Sequence, residues 1–148
     1  MESKASSALT VRDLMSHEVT SVRRNDRLTV VDDVMRLGRI RHLPVVDDDD
    51  ETQVVGLVTL RDVFRGSLAR ALGYGTRAQQ KLLDMLFVKE VMTTELVTTT
   101  PDTPVVEAAR IMTKRKLGCL PVIEDGKLVG ILTEGDFVAL AAKAKPAR

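Results

Sequence analysis

Two segments of the chain are copies of one unit, and this repeat limits the possible folds more than any other feature of the sequence. "VRDLMSHEV" (Val11 to Val19) aligns with "VKEVMTTEL" (Val88 to Leu96), and "IRHLPVV" (Ile40 to Val46) with "LGCLPVI" (Leu117 to Ile123), both at an offset of 77 residues. "GLVTLRD" (Gly56 to Asp62) then aligns with "GILTEGD" (Gly130 to Asp136) at an offset of 74. The three-residue difference falls between "DDDDETQ" and "EDGK", in a turn where extra length costs little closure entropy.

Each copy reads as strand, helix, strand, strand, helix, which makes the fold class α+β. Val105, Ala108, Ala109 and Met112 recur at helical spacing, with Thr103 expected as N-cap and Pro104 in the first turn. Leu28, Val31, Val34 and Met35 form the matching face behind Asp26, the expected cap of the first copy. "HLPVV" with "VVGLVT", and "CLPVI" with "LVGILT", read as hairpins, with Pro44 and Pro121 expected at a strand start or edge. A unit of about fifty residues leaves a sheet face uncovered, so the copies are expected to pack face to face around a pseudo-twofold axis.

The expected organisation is a disordered tail at 1–9, repeat 1 at 10–64, a helical connector at 65–87, repeat 2 at 88–142 and a disordered tail at 143–148. In the connector, Thr76 and Gln79 have capping-box spacing, and Leu82, Leu83 and Leu86 suggest an apolar face for a homodimer contact.

Composition removes several function classes. Among 148 residues, 22 Lys and Arg balance 21 Asp and Glu, without the one-sided charge of a protein held by nucleic-acid phosphates. No apolar run nears a membrane span and "MESKASSA" lacks a signal-peptide pattern, so the expected location is cytoplasmic, without membrane insertion. Cys119 is the one cysteine and reads as a small buried hydrophobe. His17, His42 and Cys119 lack zinc spacing, and "DDDDE" lacks the ligand spacing of a calcium loop, so no metal is expected. Neither a catalytic constellation nor a Walker loop is present, and the chain reads as no enzyme.

The repeated heptads admit two chemistries. Thr59 with Asp62, and Thr133 with Asp136, have the spacing of a capping box in which the carboxylate serves only backbone donors. The same pairs suit a ribose, whose adjacent hydroxyls a carboxylate accepts, with the threonine on ribose or phosphate and Gly56 and Gly130 permitting close approach.

"DLMS" and "EVMT" at the unit starts, "HLPVV" and "CLPVI" in the middle, and the two heptads near the ends resemble the CBS domain family. The resemblance covers nearly all of the chain apart from the tails and residues 65–87. It implies a stand-alone Bateman module that regulates an unknown target by binding AMP, ADP, ATP or S-adenosylmethionine, with no resident cofactor. It also places ribose on Asp62 and Asp136. Adenine then lies among Thr20, Ser21, Val22, His42, Leu43 and Pro44 in one copy, and Thr98, Thr99, Thr100, Cys119, Leu120 and Pro121 in the other. Arg39, Arg41 and Arg61, with His42, and Lys114, Arg115 and Lys116 are the phosphate candidates, though such runs also suit solvated helix ends. Glu134 would repel phosphate where Arg61 attracts it, so the first copy is expected to favour ATP over AMP more strongly. The alternative is a dimerisation or scaffold module whose sites have become plain caps.

Overall fold

A computed structural model describes residues 9–64 and 75–143, and shows an α+β chain that divides into two compact units. One unit is Thr20–Leu96; the other joins Met1–Val19 to Val97–Arg148. The compact unit is therefore offset from the repeat by its leading segment. Residues 65–74 of the expected connector, and the side chains of Thr76 and Gln79, lie outside the described residues.

In the unit Thr20–Leu96, strand β1 (Val22–Arg23) runs parallel to β2 (His42–Val46), which pairs antiparallel with β3 (Val54–Thr59). Helix α2 (Leu28–Gly38) lies between β1 and β2 in the chain, residues 60–64 are helical, and α3 (Gly75–Met85) precedes a 3-10 turn at Val88–Glu90. The other unit holds α1 (Val11–Leu14), α4 (Val105–Arg115), the hairpin of β4 (Cys119–Glu124) and β5 (Lys127–Thr133), and α5 (Glu134–Lys143). Asp125 and Gly126, with φ of 53° and 77°, make its two-residue turn, as "DG" between apolar strands favours. A parallel bridge from Thr99 to Val122 reproduces the pairing of Val22 with Val45.

The helix starts explain the offset between repeat and unit. An α-helix leaves its first N–H groups without partners, and neither α2 nor α4 has a side-chain cap hydrogen bond. Leu28 N–H instead donates to the Leu86 carbonyl at 2.8 Å, and Val105 N–H to the Leu9 carbonyl at 3.1 Å. The chain then turns back: Val88 donates to Asp26 O (2.9 Å) and Lys89 to Arg24 O (3.0 Å), while Val11 donates to Thr103 O (2.8 Å) and Arg12 to Pro101 O (2.9 Å). Each helix start is thus satisfied by backbone from the segment that leads the other repeat. Asp26 and Thr103 do not cap these helices as the sequence suggested. Asp26 accepts the Arg23 N–H at 2.8 Å within its own turn, and the Thr103 hydroxyl lies 2.8 Å from that of Thr100.

The same segments continue along the sheet edges. Leu57 and Thr93 exchange backbone hydrogen bonds of 2.9 and 2.8 Å, and Ser16 and Ile131 exchange bonds of 3.0 and 3.1 Å. This settles what the strand glycines admit. A Cβ on Gly56 would lie 2.7 Å from Met92 Sδ, and one on Gly130 would lie 2.6 Å from Met15 Sδ and 2.9 Å from Ser16 O. What approaches these glycines is the "DLMS" or "EVMT" segment, which accounts for the pairing of those motifs with the heptads.

Pro121 lies in β4, an edge strand of a two-stranded sheet as expected, but Pro44 does not. Pro44 is the third of five residues in β2, the central strand of three, and is fully buried. Leu57, its partner, sends both backbone groups to Thr93, so the Pro44 position makes no ladder bond with β3. Its missing N–H faces the β1 side, where pairing begins only at Val45. Pro121 opposite Ile131 repeats the arrangement.

Each unit has its own aliphatic core. Leu28, Val31, Met35, Leu43, Val45 and Val58 anchor one, and Leu83 and Leu86 join it, each 4% exposed. Those two leucines therefore provide no dimer patch. Val11, Met15, Ala108, Leu120, Val122 and Leu132 anchor the other, so Val11 and Met15 complete a core built mostly from the second repeat. Arg12 ties the same segment to Glu124 at 2.9 Å and Asp102 at 3.5 Å. Among the described residues, no helix is long and apolar enough to cross a membrane.

Candidate functional site

Both heptads end a strand and open a helix, and the threonine and aspartate meet at the corner. Asp62 Oδ2 accepts the Thr59 N–H and the Thr59 hydroxyl, both at 2.9 Å, and Asp62 N–H donates to Thr59 Oγ1 at 3.2 Å. In the second corner Asp136 Oδ2 accepts the Thr133 N–H at 2.8 Å and the Thr133 hydroxyl at 3.4 Å. The first is a reciprocal capping box and the second shows its carboxylate half, and all four hydrogen bonds accepted by the two aspartates run to Oδ2. Among the described residues, nothing donates to Oδ1 of Asp62 or Asp136, so one carboxylate oxygen at each corner can accept a further hydroxyl.

The strand register brings one adenine candidate of each copy to these corners. His42 pairs with Thr59 and Cys119 with Thr133, at the ends where β3 and β5 enter their helices. Thr20, Ser21 and Val22 share a unit with Thr59 and Asp62, and Thr98, Thr99 and Thr100 share the other with Thr133 and Asp136. Leu43 and Leu120 are 0% exposed, and Pro44, Pro121, Val22 and Cys119 are also buried, so these side chains form core. Thr20, Thr98 and Thr100 are exposed. Thr99 is buried and held to the sheet, donating to Pro121 O at 3.0 Å and accepting from Ile123 N at 2.8 Å.

Arg39, Arg41, Arg61, Lys114, Arg115 and Lys116 are all exposed, none of these six forms a salt bridge with a described residue, and His42 is half-buried. Arg39 and Lys116 terminate α2 and α4 in the left-handed region, with φ of 54° and 56°. Arg36 pairs with Asp33, and Arg24 with Asp47 at 3.7 Å, so these cations are engaged elsewhere. The acidic turn uses its own carboxylates: Asp47 accepts Asp49 N–H, and Asp50 accepts Thr52 N–H, both at 3.0 Å.

Two hydrogen bonds correct the comparison of Arg61 with Glu134. Leu60 N–H donates to Arg41 O at 2.8 Å, and Glu134 N–H donates to Gly118 O at 3.1 Å. The equivalents across the repeat are therefore Leu60 with Glu134, Arg61 with Gly135, and Arg41 with Gly118. The heptad alignment already held this signal at its offset of 74.

Cys119 is buried; its desolvation, and after it the Glu134 carboxylate, push the thiol up to about 12. In the unfolded chain a thiol ionises near pH ~8.5. Between those values the unfolded state binds fewer protons, so stability falls as pH rises, by about 1.4 kcal/mol per pH unit at most. Urea unfolding of wild type is expected to lose roughly 2–3 kcal/mol more than Cys119→Ala between pH 8.5 and 10.5. Parallel slopes for the two proteins would show that the thiol ionises freely in the fold.

Comparison with known proteins agrees with this architecture. The sequence signature of the CBS domain matches residues 11–69 and 88–143. A CBS domain-containing protein of Dictyostelium discoideum is 31% identical over 134 residues, covering 90% of this chain and 91% of its own. The chain spans only 42% of the MJ1225 protein of Methanocaldococcus jannaschii, at 28% identity. It spans 24% of a homoserine O-acetyltransferase of Methanohalobium evestigatum, at 30% identity. Among solved structures, the CBS domain of a CBS domain containing membrane protein from Sphaerobacter thermophilus superposes with a TM-score of 0.75 at 30% identity, covering 93% of this chain and 90% of the other. The CBS domain pair of protein MJ0100, in complex with 5′-methylthioadenosine and S-adenosyl-L-methionine, superposes with a TM-score of 0.71 at 27% identity, covering 90% and 99%. With both repeats matched in sequence and their fold shared with solved CBS pairs, the chain belongs to the CBS domain family and carries its domain twice.

Proposed function

We propose that the chain is a regulatory, non-catalytic module that binds adenosine-containing ligands, namely AMP, ADP, ATP or S-adenosylmethionine, at the Thr59–Asp62 and Thr133–Asp136 corners. The observation that carries this reading is the repeated corner itself, where in both units no described residue donates to the Asp Oδ1 at the strand end. A ribose offers two adjacent hydroxyls, and a carboxylate with one free oxygen and one shared oxygen can accept both. The solved pair with adenosine compounds bound adds support from within the family. Regulation then follows from a difference in ligand affinity between two states of the module or its target. The setting is the cytoplasm, and the target is a protein outside this chain. Thermal unfolding with each compound in excess tests this reading, and a rise in Tm is the expected result.

The capping geometry favours a second reading, a dimerisation or scaffold module, because each aspartate already has an intrachain role. Absence of any Tm shift at millimolar adenosine compound selects that reading.

We also propose a homodimer, on a surface different from the leucines of α3. Phe64 and Val138 occupy equivalent places in the repeat and are 56% and 68% exposed. A groove of about 630 Å³ lined by Val105, Val106, Ala109, Phe137 and Leu140 adds apolar surface between α4 and α5. A second copy would cover Val138 and this groove, which water solvates poorly. Sedimentation equilibrium is expected to show twice the 16.3 kDa chain mass at micromolar concentration, and Val138→Asp to shift it to monomer. A wild-type monomer contradicts the proposal.

A further inference from the structure

We infer that Glu134 sets the charge of the ligand at its corner. The Thr133–Asp136 corner takes an adenosine compound with a neutral or cationic 5′ substituent, and the Thr59–Asp62 corner takes the polyphosphate. This rests on the adenosine-binding reading above and divides its two sites.

The two corners are built on the same backbone contacts, yet three adjoining positions differ in charge. Where Arg41 accepts the Leu60 N–H in one unit, Gly118 accepts the Glu134 N–H in the other, and Arg61 is replaced by Gly135. The first corner thus carries two arginines at adjoining chain positions and one aspartate. The second has two carboxylates, Glu134 and Asp136, and none of the equivalent cations. Arg41, Arg61 and Glu134 are exposed, and none is neutralised by a salt bridge to a described residue. Glu134 also borders a cavity of about 290 Å³ with Met112, Thr113, Leu117 and Phe137. Its charge reaches the strand end, since it raises the pKa of the buried Cys119 thiol.

An arginine fork matches phosphate oxygens and is worth about tenfold or more in affinity per well-formed contact. A carboxylate in the same place repels phosphate and attracts an ammonium or sulfonium group. Discrimination then comes from repulsion at one corner as well as attraction at the other.

Calorimetry of the full chain with adenosine, ATP and S-adenosylmethionine separates the corners when one aspartate is removed at a time. Asp62→Ala, which leaves the second corner, is expected to bind S-adenosylmethionine at least tenfold more tightly than ATP. Asp136→Ala, which leaves the first, is expected to show the opposite order. Glu134→Leu added to Asp62→Ala places the first corner's residue in the second and is expected to strengthen ATP binding about tenfold or more. Adenosine carries no charge and reports the corner alone. If it binds both single variants while their preference between ATP and S-adenosylmethionine is the same, or is unmoved by Glu134→Leu, the inference is overturned and the binding reading stands. If adenosine and both charged compounds bind neither variant nor wild type, both are overturned.

Discussion

Replacing Val11 and Met15 with alanine is expected to weaken the sheet of the second repeat, although both residues belong to the first repeat in sequence. Val11 is 0% and Met15 6% exposed, and both sit in the core with Ala108, Leu120, Val122 and Leu132. Truncating buried aliphatic side chains costs up to about 2–5 kcal/mol each, so the pair is expected to remove roughly 4 kcal/mol. That is a large share of the ~5–15 kcal/mol that holds a typical domain. Val88→Ala with Met92→Ala is the mirror experiment, because Val88 is buried in the core of Leu43, Val45 and Val58, with Met92 packed against it. Hydrogen exchange is expected to show a crossed pattern. The Val11 and Met15 variant loses protection first in β4 and β5, and the Val88 and Met92 variant in β2 and β3. If each variant instead weakens the strands of its own linear repeat, the exchange of leading segments is wrong.

The second large effect concerns the two aspartates. With ligand at a hundredfold excess over Kd, binding stabilises the folded state by about 2.7 kcal/mol, roughly a 5–10 °C rise in Tm for a chain of this size. Asp62→Ala with Asp136→Ala is expected to remove that rise entirely. It also removes the acceptors of the Thr59 and Thr133 N–H groups, which costs about 1 kcal/mol at each corner. A fall in basal Tm alone therefore does not report on ligand. Asp62→Asn with Asp136→Asn keeps one carbonyl oxygen to accept the threonine N–H but loses the charge and one acceptor. The asparagine variant is expected to hold basal Tm close to wild type and still show no ligand-induced rise.

What the sequence made legible was whatever side chains declare. The 77- and 74-residue offsets, the aliphatic periodicity of Leu28, Val31 and Met35, and the box formed by Thr59 and Asp62 all stand in the structure as read. The exchange of leading segments was hidden because it is made by backbone. The Leu9 carbonyl that satisfies Val105 N–H could belong to any residue, and side-chain caps were the natural but mistaken assignment to Asp26 and Thr103. Gly56 and Gly130 carried the missing signal, since a strand glycine marks a close approach. Their place in the heptads suggests room for a ligand, whereas Met92 and Met15 occupy the space. Leu83 and Leu86 show the complementary limit: periodicity identifies the apolar face of α3 without saying what covers it.

The candidate site was legible at Thr59, Asp62, Thr133 and Asp136, because their spacing fixes a local hydrogen-bond geometry. Leu43 and Leu120 were ambiguous, as a pocket wall and a core edge use the same residue types, and the structure encloses both. The charge comparison across the repeat needed the carbonyls of Arg41 and Gly118 to show which positions correspond.

Isothermal calorimetry of adenosine compounds against wild type and the Asp62→Asn, Asp136→Asn double variant tests the central claim most directly. The account predicts saturable binding to wild type and none to the folded double variant. Unchanged affinity in the variant, or no binding to wild type by adenosine, AMP, ADP, ATP or S-adenosylmethionine, contradicts it.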